Sequence, residues 1–341
     1  HKDSLYKKNP TNKAKNPRHI QRDCVVLNDY EESNESRNNT NHANMDFVLG
    51  YFKHPLGRFI GRNKEWNSNK ELQNTGDVSC YFATREDLDI TNGDVIQRFF
   101  GEHNFDYCIN TAAYTNVEKA ESEQKEAFLI NAEGAYNLAK ACKKYTVVLL
   151  HISTDYVFDG MAKTPYQEQD PTNPLNVYGA SKLKGEQHIV DTWNKHFIIR
   201  TSWLYSQYGN NFLNSMLEFA EQKKALTITT QQTGTPTNAN DLAQVLVTII
   251  KTGNARYGIY HFSNQGEGTW FDFATAIFKA TGEIDAVNLA KTEHYATFAK
   301  RPAYSVLNCN KLKVTLGTQY KNWEDSLINL IQKTRSANSL L

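Results

Sequence analysis

The sequence predicts a doubly wound α/β fold: a parallel sheet with helices on both faces, followed by a smaller C-terminal lobe. Three observations predict it. Short apolar segments such as Tyr107-Cys108-Ile109 and Val147–Ile152 read as strands buried on both faces, as parallel sheets require. They alternate with stretches whose apolar residues recur three or four positions apart, the helical period. The length of 341 residues suits about two domains rather than one small module.

In chain order, residues 1–45 are rich in Asn and Lys, broken by Pro10 and Pro17, and hold one short apolar run, Cys24-Val25-Val26-Leu27. They are expected to be a polar, disordered tail. Residues 46–204 are expected to form the nucleotide-binding domain and 205–335 mainly the substrate lobe, with segments near 230–252 returning to the first domain. The Asn-rich stretch from Asn63 to Asp77 reads as a loop or a poorly formed helix. Cys80-Tyr81-Phe82 is the next strand, and Thr91 is placed to cap a helix carrying Val95, Ile96, Phe99 and Phe100 on one side. After the strand at Tyr107, a long helix is expected over 123–144, with Phe128, Ala132, Ala135, Ala139 and Cys142 in one stripe. The strand Val147–Ile152, a helix over 181–192 and the strand Phe197-Ile198-Ile199 complete the first domain. Beyond it, helices are expected near 211–223, 240–251, 270–280 and 323–333, with strands near 226–229 and 257–262.

Composition excludes several functions. Lys and Arg number 38 against 37 Asp and Glu, a formal charge of +1, which argues against nucleic-acid or anionic-membrane binding driven by bulk charge. The five cysteines are odd in number and widely spaced, without a Cys-x-x-Cys pair, so neither a disulfide framework nor a zinc site is expected. No apolar run approaches the roughly 18 residues of a membrane span and no apolar signal core is evident, so the expectation is a cytoplasmic protein.

Chemistry concentrates after the strand Val147–Ile152. Tyr178 and Lys182 stand four apart at a helix start, so both side chains share one face. A neighbouring ammonium favours the ionised form of a tyrosine whose ordinary pKa is near 10, bringing it towards the working range of an acid–base catalyst. Ser153-Thr154-Asp155 follows the strand at its carboxyl edge, where open α/β sheets bind ligands and a hydroxyl can meet a substrate oxygen. Gly179 and Ala180 keep the helix start narrow for the approach of a flat ring.

Those residues sit in Ser153-Thr154-Asp155-Tyr156-Val157-Phe158-Asp159-Gly160 and Tyr178-Gly179-Ala180-Ser181-Lys182-Leu183-Lys184-Gly185-Glu186. With Ala112-Ala113-Tyr114-Thr115, Arg200-Thr201-Ser202-Trp203, Gln232–Thr237 and Lys300-Arg301-Pro302, the chain resembles the extended short-chain dehydrogenases/reductases. Within them it is similar to the dTDP-4-dehydrorhamnose reductase family, from about residue 78 to 333. The resemblance implies a Rossmann-type nucleotide-binding sheet and reduction of the C4 keto group of dTDP-4-dehydro-L-rhamnose. It makes Thr154, Tyr178 and Lys182 the catalytic residues, Lys182 also holding the nicotinamide ribose. It places Ala112, Ala113 and Thr115 along the cofactor, Asp89 and Ile90 beside its adenine, and Val117, Thr154, Tyr156, Trp203, Asn211, Gln232 and Arg301 on the side of the nucleotide-sugar substrate. Some members dimerise around a metal, so a homodimer and Mg2+ belong to the same expectation, although no ligands for the ion are assignable here.

The family opens with a strand and a Gly-x-x-Gly-x-x-Gly turn at the cofactor diphosphate. Here the nearest match is Phe47-Val48-Leu49-Gly50 with Gly57 and Gly61, interrupted by His54 and Pro55. Gly50, Gly57 and Gly61 are therefore the expected cofactor glycines. Thr84 and Arg85 stand where an NAD-preferring site places an acidic residue, which suits a 2′-phosphate and NADPH, with NADH the alternative. The altered turn leaves open a non-catalytic homologue resembling the regulatory subunit of methionine adenosyltransferase; a related nucleotide-sugar epimerase or dehydratase is disfavoured by Trp203 and Gln232–Thr237.

Overall fold

The computed structural model describes residues 22–27, 73–74 and 78–338. Its main sheet has seven strands: β1 (Arg22–Leu27), β2 (Gln73–Asn74), β3 (Val78–Ala83), β4 (Tyr107–Asn110), β5 (Val148–Thr154), β6 (His196–Thr201) and β7 (Gly258–His261). They lie in the order β7-β6-β5-β4-β1-β3-β2, all parallel except β2, which runs antiparallel to β3 at the edge. The chain goes outward from β1 to β3 and returns to β4 on the other side. Such a reversal leaves a crevice at the carboxyl ends of the strands.

Within the span 1–45, expected to be a disordered tail, Arg22–Leu27 is instead the strand β1. Cys24-Val25-Val26-Leu27 is buried in the middle of the sheet, with Leu27 opposite both Ala83 and Asn110. Four apolar residues suffice because a strand paired on both sides takes its burial from its neighbours. The opening position expected for Phe47–Gly50 is thus held by β1, and Gly50, Gly57 and Gly61 lie outside the described residues.

The helices are α1 (Gly93–Glu102), α2 (Val117–Ala120), α3 (Gln124–Phe128), α4 (Ala135–Tyr145), α5 (Val177–Thr192), α6 (Phe212–Glu221), α7 (Ala239–Thr252), α8 (Trp270–Thr281), α9 (Asn310–Leu316) and α10 (Trp323–Asn338). Side chains alternate across the sheet. Val25, Leu27, Cys108, Leu149 and Ile198 meet α1 and α4, whereas Cys24, Val26, Ile109, Leu150 and Ile199 meet α7. Asn92, not Thr91, caps α1 by accepting from Val95 N at 3.2 Å. The helix expected over 123–144 is a continuous run in which a π-helical turn, Leu129–Gly134, joins α3 to α4. There α5 presses closely: a Cβ on Gly185 would lie 2.2 Å from Asn131 O.

The return to the first layer is wider than residues 230–252, because β7 and Leu312 of α9 also complete this face. The smaller cluster gathers α6, α8 and α10 around Leu213, Phe273, Ile277 and Leu327, beside the parallel pair Leu226–Thr229 and Leu289–Thr292.

Leu150 is fully buried on a central strand. Leu150→Ala is expected to lower the free energy of unfolding by about 2–5 kcal/mol. Urea denaturation followed by circular dichroism measures it, and an unchanged midpoint would contradict this packing.

Candidate active site

β5 ends at Thr154, and a single 3₁₀ turn, Asp155–Val157, redirects the chain. Beside it α5 begins at a cap made by Asn176, whose side chain accepts from Gly179 N and donates to Lys300 O, both at 2.8 Å. The helix start can come this near only because residue 179 is glycine: a Cβ there would sit 2.2 Å from Tyr156 O. The close neighbour is a backbone carbonyl rather than the flat ring expected from the sequence.

Tyr178, Lys182 and Glu186 follow at four-residue intervals and form one stripe of α5 facing β5. Lys182 is fully buried and donates from Nζ to Ile152 O at 2.7 Å, with His151 Nε2 at 3.4 Å. Burial and the Lys182 charge hold His151 well below its ordinary pKa, and Asn110 Nδ2 lies 3.0 Å from its Nδ1. Glu186 accepts from Ser153 Oγ at 2.5 Å and from Arg200 Nη2 at 2.7 Å, and all three residues are buried. One helix thereby grips two adjacent strands immediately below Thr154.

Burial pushes the Tyr178 hydroxyl well above its ordinary pKa; the Thr154 hydrogen bond opposes the rise, while Asp155 and Tyr156 add to it. The lowered value expected from the Tyr-x-x-x-Lys spacing is not found. Tyr178 keeps its proton through neutrality, the state a proton donor needs. Tyr156 is also pushed up, to about 12, mainly by burial, with Arg301 acting against the shift. Its ring meets Tyr178 edge-on at 5.9 Å between centroids.

These groups open into a cleft lined among others by Thr115, Val117, Thr154, Tyr156, Tyr178, Trp203, Asn211 and Arg301. Eight residues chosen from sequence therefore meet around one space. Asn211 contributes with its amide committed, since its Nδ2 donates to Ser206 O at 3.0 Å and Tyr208 O at 2.9 Å. Gln232 is not among the lining residues; it stands behind them and accepts from Trp270 Nε1 at 3.0 Å. Arg301 Nη2 donates to Glu118 Oε1 at 2.8 Å, and Glu118 Oε2 accepts from Phe298 N and Ala299 N at 3.0 and 3.1 Å.

Trp270, Phe212 and Asp155 also line the cleft, and the sequence reading gave none of them a role. Trp270 stacks on Trp203 at 3.8 Å with an 8° tilt, and Trp203 adopts φ +45° to reach it. A Cβ on Gly234 would lie 2.6 Å from the Trp203 ring, so this aromatic wall depends on a glycine. The capping box of Thr269 and Asp272 fixes the start of α8 and was the available clue to Trp270.

Ala112 and Ala113 leave the end of β4, and Arg85 and Asp89 follow β3. Arg85 lies 4.0 Å from Asp89 and 3.9 Å from Glu126. Asp89 Oδ1 accepts from Thr91 N at 2.9 Å, whereas Ile90 is buried in the core against Gly134. Among the described residues, no group of three or more His, Cys, Asp or Glu could hold a metal ion, and no helix is long and apolar enough to cross a membrane.

A family model described as the RmlD substrate binding domain matches residues 66–336. The chain belongs to that family. A dTDP-4-dehydrorhamnose reductase of Aggregatibacter actinomycetemcomitans is 40% identical over 271 residues, covering 76% of this chain and 92% of the relative. Among solved structures, a dTDP-4-dehydrorhamnose reductase from Clostridium acetobutylicum aligns at TM-score 0.76 and 34% identity, over 92% of this chain and 99% of that one. The enzyme from Bacillus anthracis, solved in complex with NADP, aligns at TM-score 0.77 and 32% identity, over 92% and 100%. The RmlD match contains the β5 turn, α5 and the segment carrying Arg301.

Gly179→Ala is expected to force α5 away from Tyr156 O, lowering both the melting temperature and turnover. Ala180→Gly, one residue along the same helix, costs only the roughly 1 kcal/mol of helix propensity. Equal effects in calorimetry and turnover would show that the contact at Gly179 is not what holds the site.

Proposed function

We propose that this protein reduces the C4 keto group of dTDP-4-dehydro-L-rhamnose to dTDP-L-rhamnose with NADPH. The observation that carries the reading is the meeting of a protonated, buried Tyr178 with Thr154 at a cleft walled by Trp203 and Trp270. A ketone at that point gains a hydrogen bond from Thr154 and a proton from Tyr178 as its oxygen becomes an alkoxide. Lys182, fully buried one turn along α5, donates to Ile152 O near the end of β5. Arg301 offers a planar guanidinium to a diphosphate.

The cofactor supplies the hydride when bound. The residues present fit it: the small side chains of Ala112 and Ala113 leave room at the end of β4, with Thr115 beyond them. Arg85 stands at the end of β3, where a 2′-phosphate is met, with Asp89 alongside. Tyr178 would face the nicotinamide ribose, with Lys182 buried behind it against Ile152 O. Ile90 would contribute through backbone and packing, because its side chain is spent in the core. The free thiols at all five cysteines accord with a reducing cytoplasm.

One observation favours the non-catalytic reading: β1 runs into Asn28-Asp29-Tyr30, and no glycine occurs before Gly50. NADPH fluorescence titration separates the two readings. Binding with turnover of the nucleotide sugar supports the reductase, and absence of binding at millimolar cofactor removes it.

Tyr178→Phe is expected to cut turnover by about 10²–10⁴-fold while leaving NADPH affinity nearly unchanged. Near-parental turnover would remove Tyr178 from the reaction. Arg85→Ala is expected to weaken NADPH by roughly tenfold or more, the equivalent of one charge-assisted hydrogen bond, and to leave NADH unaffected. Parallel titrations with the two cofactors read this, and equal losses would place the 2′-phosphate elsewhere.

A further inference from the structure

Asp155 lines the cleft, is 2% exposed, and has no part in the reaction as described above. Its Oδ1 lies 3.0 Å from Thr154 Oγ1. Its other oxygen, Oδ2, is buried without a hydrogen-bond partner, although Ser305 approaches the carboxyl. An unpartnered oxygen is costly on a carboxylate and far cheaper as the carbonyl of a neutral acid. Thr154 has one proton to give and two lone pairs, one already taken by Tyr156 N at 3.1 Å.

We infer that Asp155 is a positioning residue whose protonation sets the direction in which the Thr154 hydroxyl points, and through it whether the site can engage a ketone. As a neutral acid, Asp155 donates to the second lone pair of Thr154, and the Thr154 proton is left for the substrate oxygen. As a carboxylate, Asp155 accepts a hydrogen bond from the Thr154 hydroxyl, as the 3.0 Å contact with Oδ1 allows. The remaining lone pair of Thr154 then draws the Tyr178 hydroxyl proton away from the cleft. No bond is made or broken in the switch beyond loss of one proton from Asp155 to solvent.

Burial moves the Asp155 carboxyl up to about 7, against the opposing influence of the nearby Ser305, of Thr154 and of the Asp155 and Tyr156 amides. The titratable and charged groups around it are Tyr156 on the same turn, Tyr178 on α5 and, facing Tyr156, Arg301 and Glu118. Because the folded value is raised, the competent neutral form dominates below about 7 and is lost as pH rises through that value.

The inference rests on the reductase reading, and two measurements keep them apart. In the parent, kcat is expected to fall by about tenfold per pH unit above the Asp155 titration, the slope of a single proton. In Asp155→Asn, whose amide donates at every pH, that limb is expected to disappear with turnover retained on the alkaline side. An identical limb in both proteins, or a parent flat through this range, overturns the switch. Carbon-13 titration of side-chain carboxyls in the parent reads the same proton without turnover and does not depend on the variant folding. A full set of ionised carboxylates at pH 6 overturns the switch alone. A parent that binds NADPH and titrates as expected, yet reduces no nucleotide sugar, overturns the reductase reading and with it the step on which the switch acts.

Discussion

The site depends on the grip of α5 on the ends of β5 and β6. Glu186 lies between Ser153 and Arg200 with all three buried, an arrangement that adds little net stability because desolvation offsets most of the attraction. Its value is directional. Each partner left alone would be an uncompensated polar group or charge in the core, so the helix has one register against the sheet. Two helical turns away, that register delivers Tyr178 to Thr154, and one turn away it delivers Lys182 to Ile152 O.

Much of this was legible in sequence, for a physical reason. Strands buried on both faces announce themselves as apolar runs, and a helix stripe announces itself by period, so β4, β5, β6 and the approximate place of α5 were readable without neighbours. β1 was not. Arg22–Leu27 carries only four apolar residues in a polar stretch, and its strand character comes from pairing with β3 and β4, whose partners are 56 or more residues away in the register Cys24 to Cys80. Long-range pairing of that kind leaves no local periodicity to find. The direction of the Tyr178 shift was missed for a related cause: spacing shows a lysine on the same helix face but not the burial that raises the hydroxyl.

The same distinction separates residues that line the cleft from those that build it. Gln232 belongs to a segment resembling the substrate side, yet its carbonyl is spent on the indole of Trp270. Trp270 itself looked like the ordinary start of a helix. The glycines at 179, 185 and 234 act at close backbone or ring contacts, where the absent side chain is the functional property. A motif read as residue types names such positions without revealing what they touch.

Glu118 gives Arg301 a resident counter-ion and ties down the Phe298 and Ala299 amides with its other oxygen. On the proposed reading, an anion arriving at Arg301 enters an exchange rather than an empty electrostatic trap. On that reading a neutral sugar offers the guanidinium no more than the carboxylate already does, whereas a diphosphate, with one charge on each of its two phosphates, competes for it. Discrimination of this kind rests on competition inside the protein, so it acts before any part of the sugar ring is inspected, and it discounts the affinity of every ligand by the same internal rival.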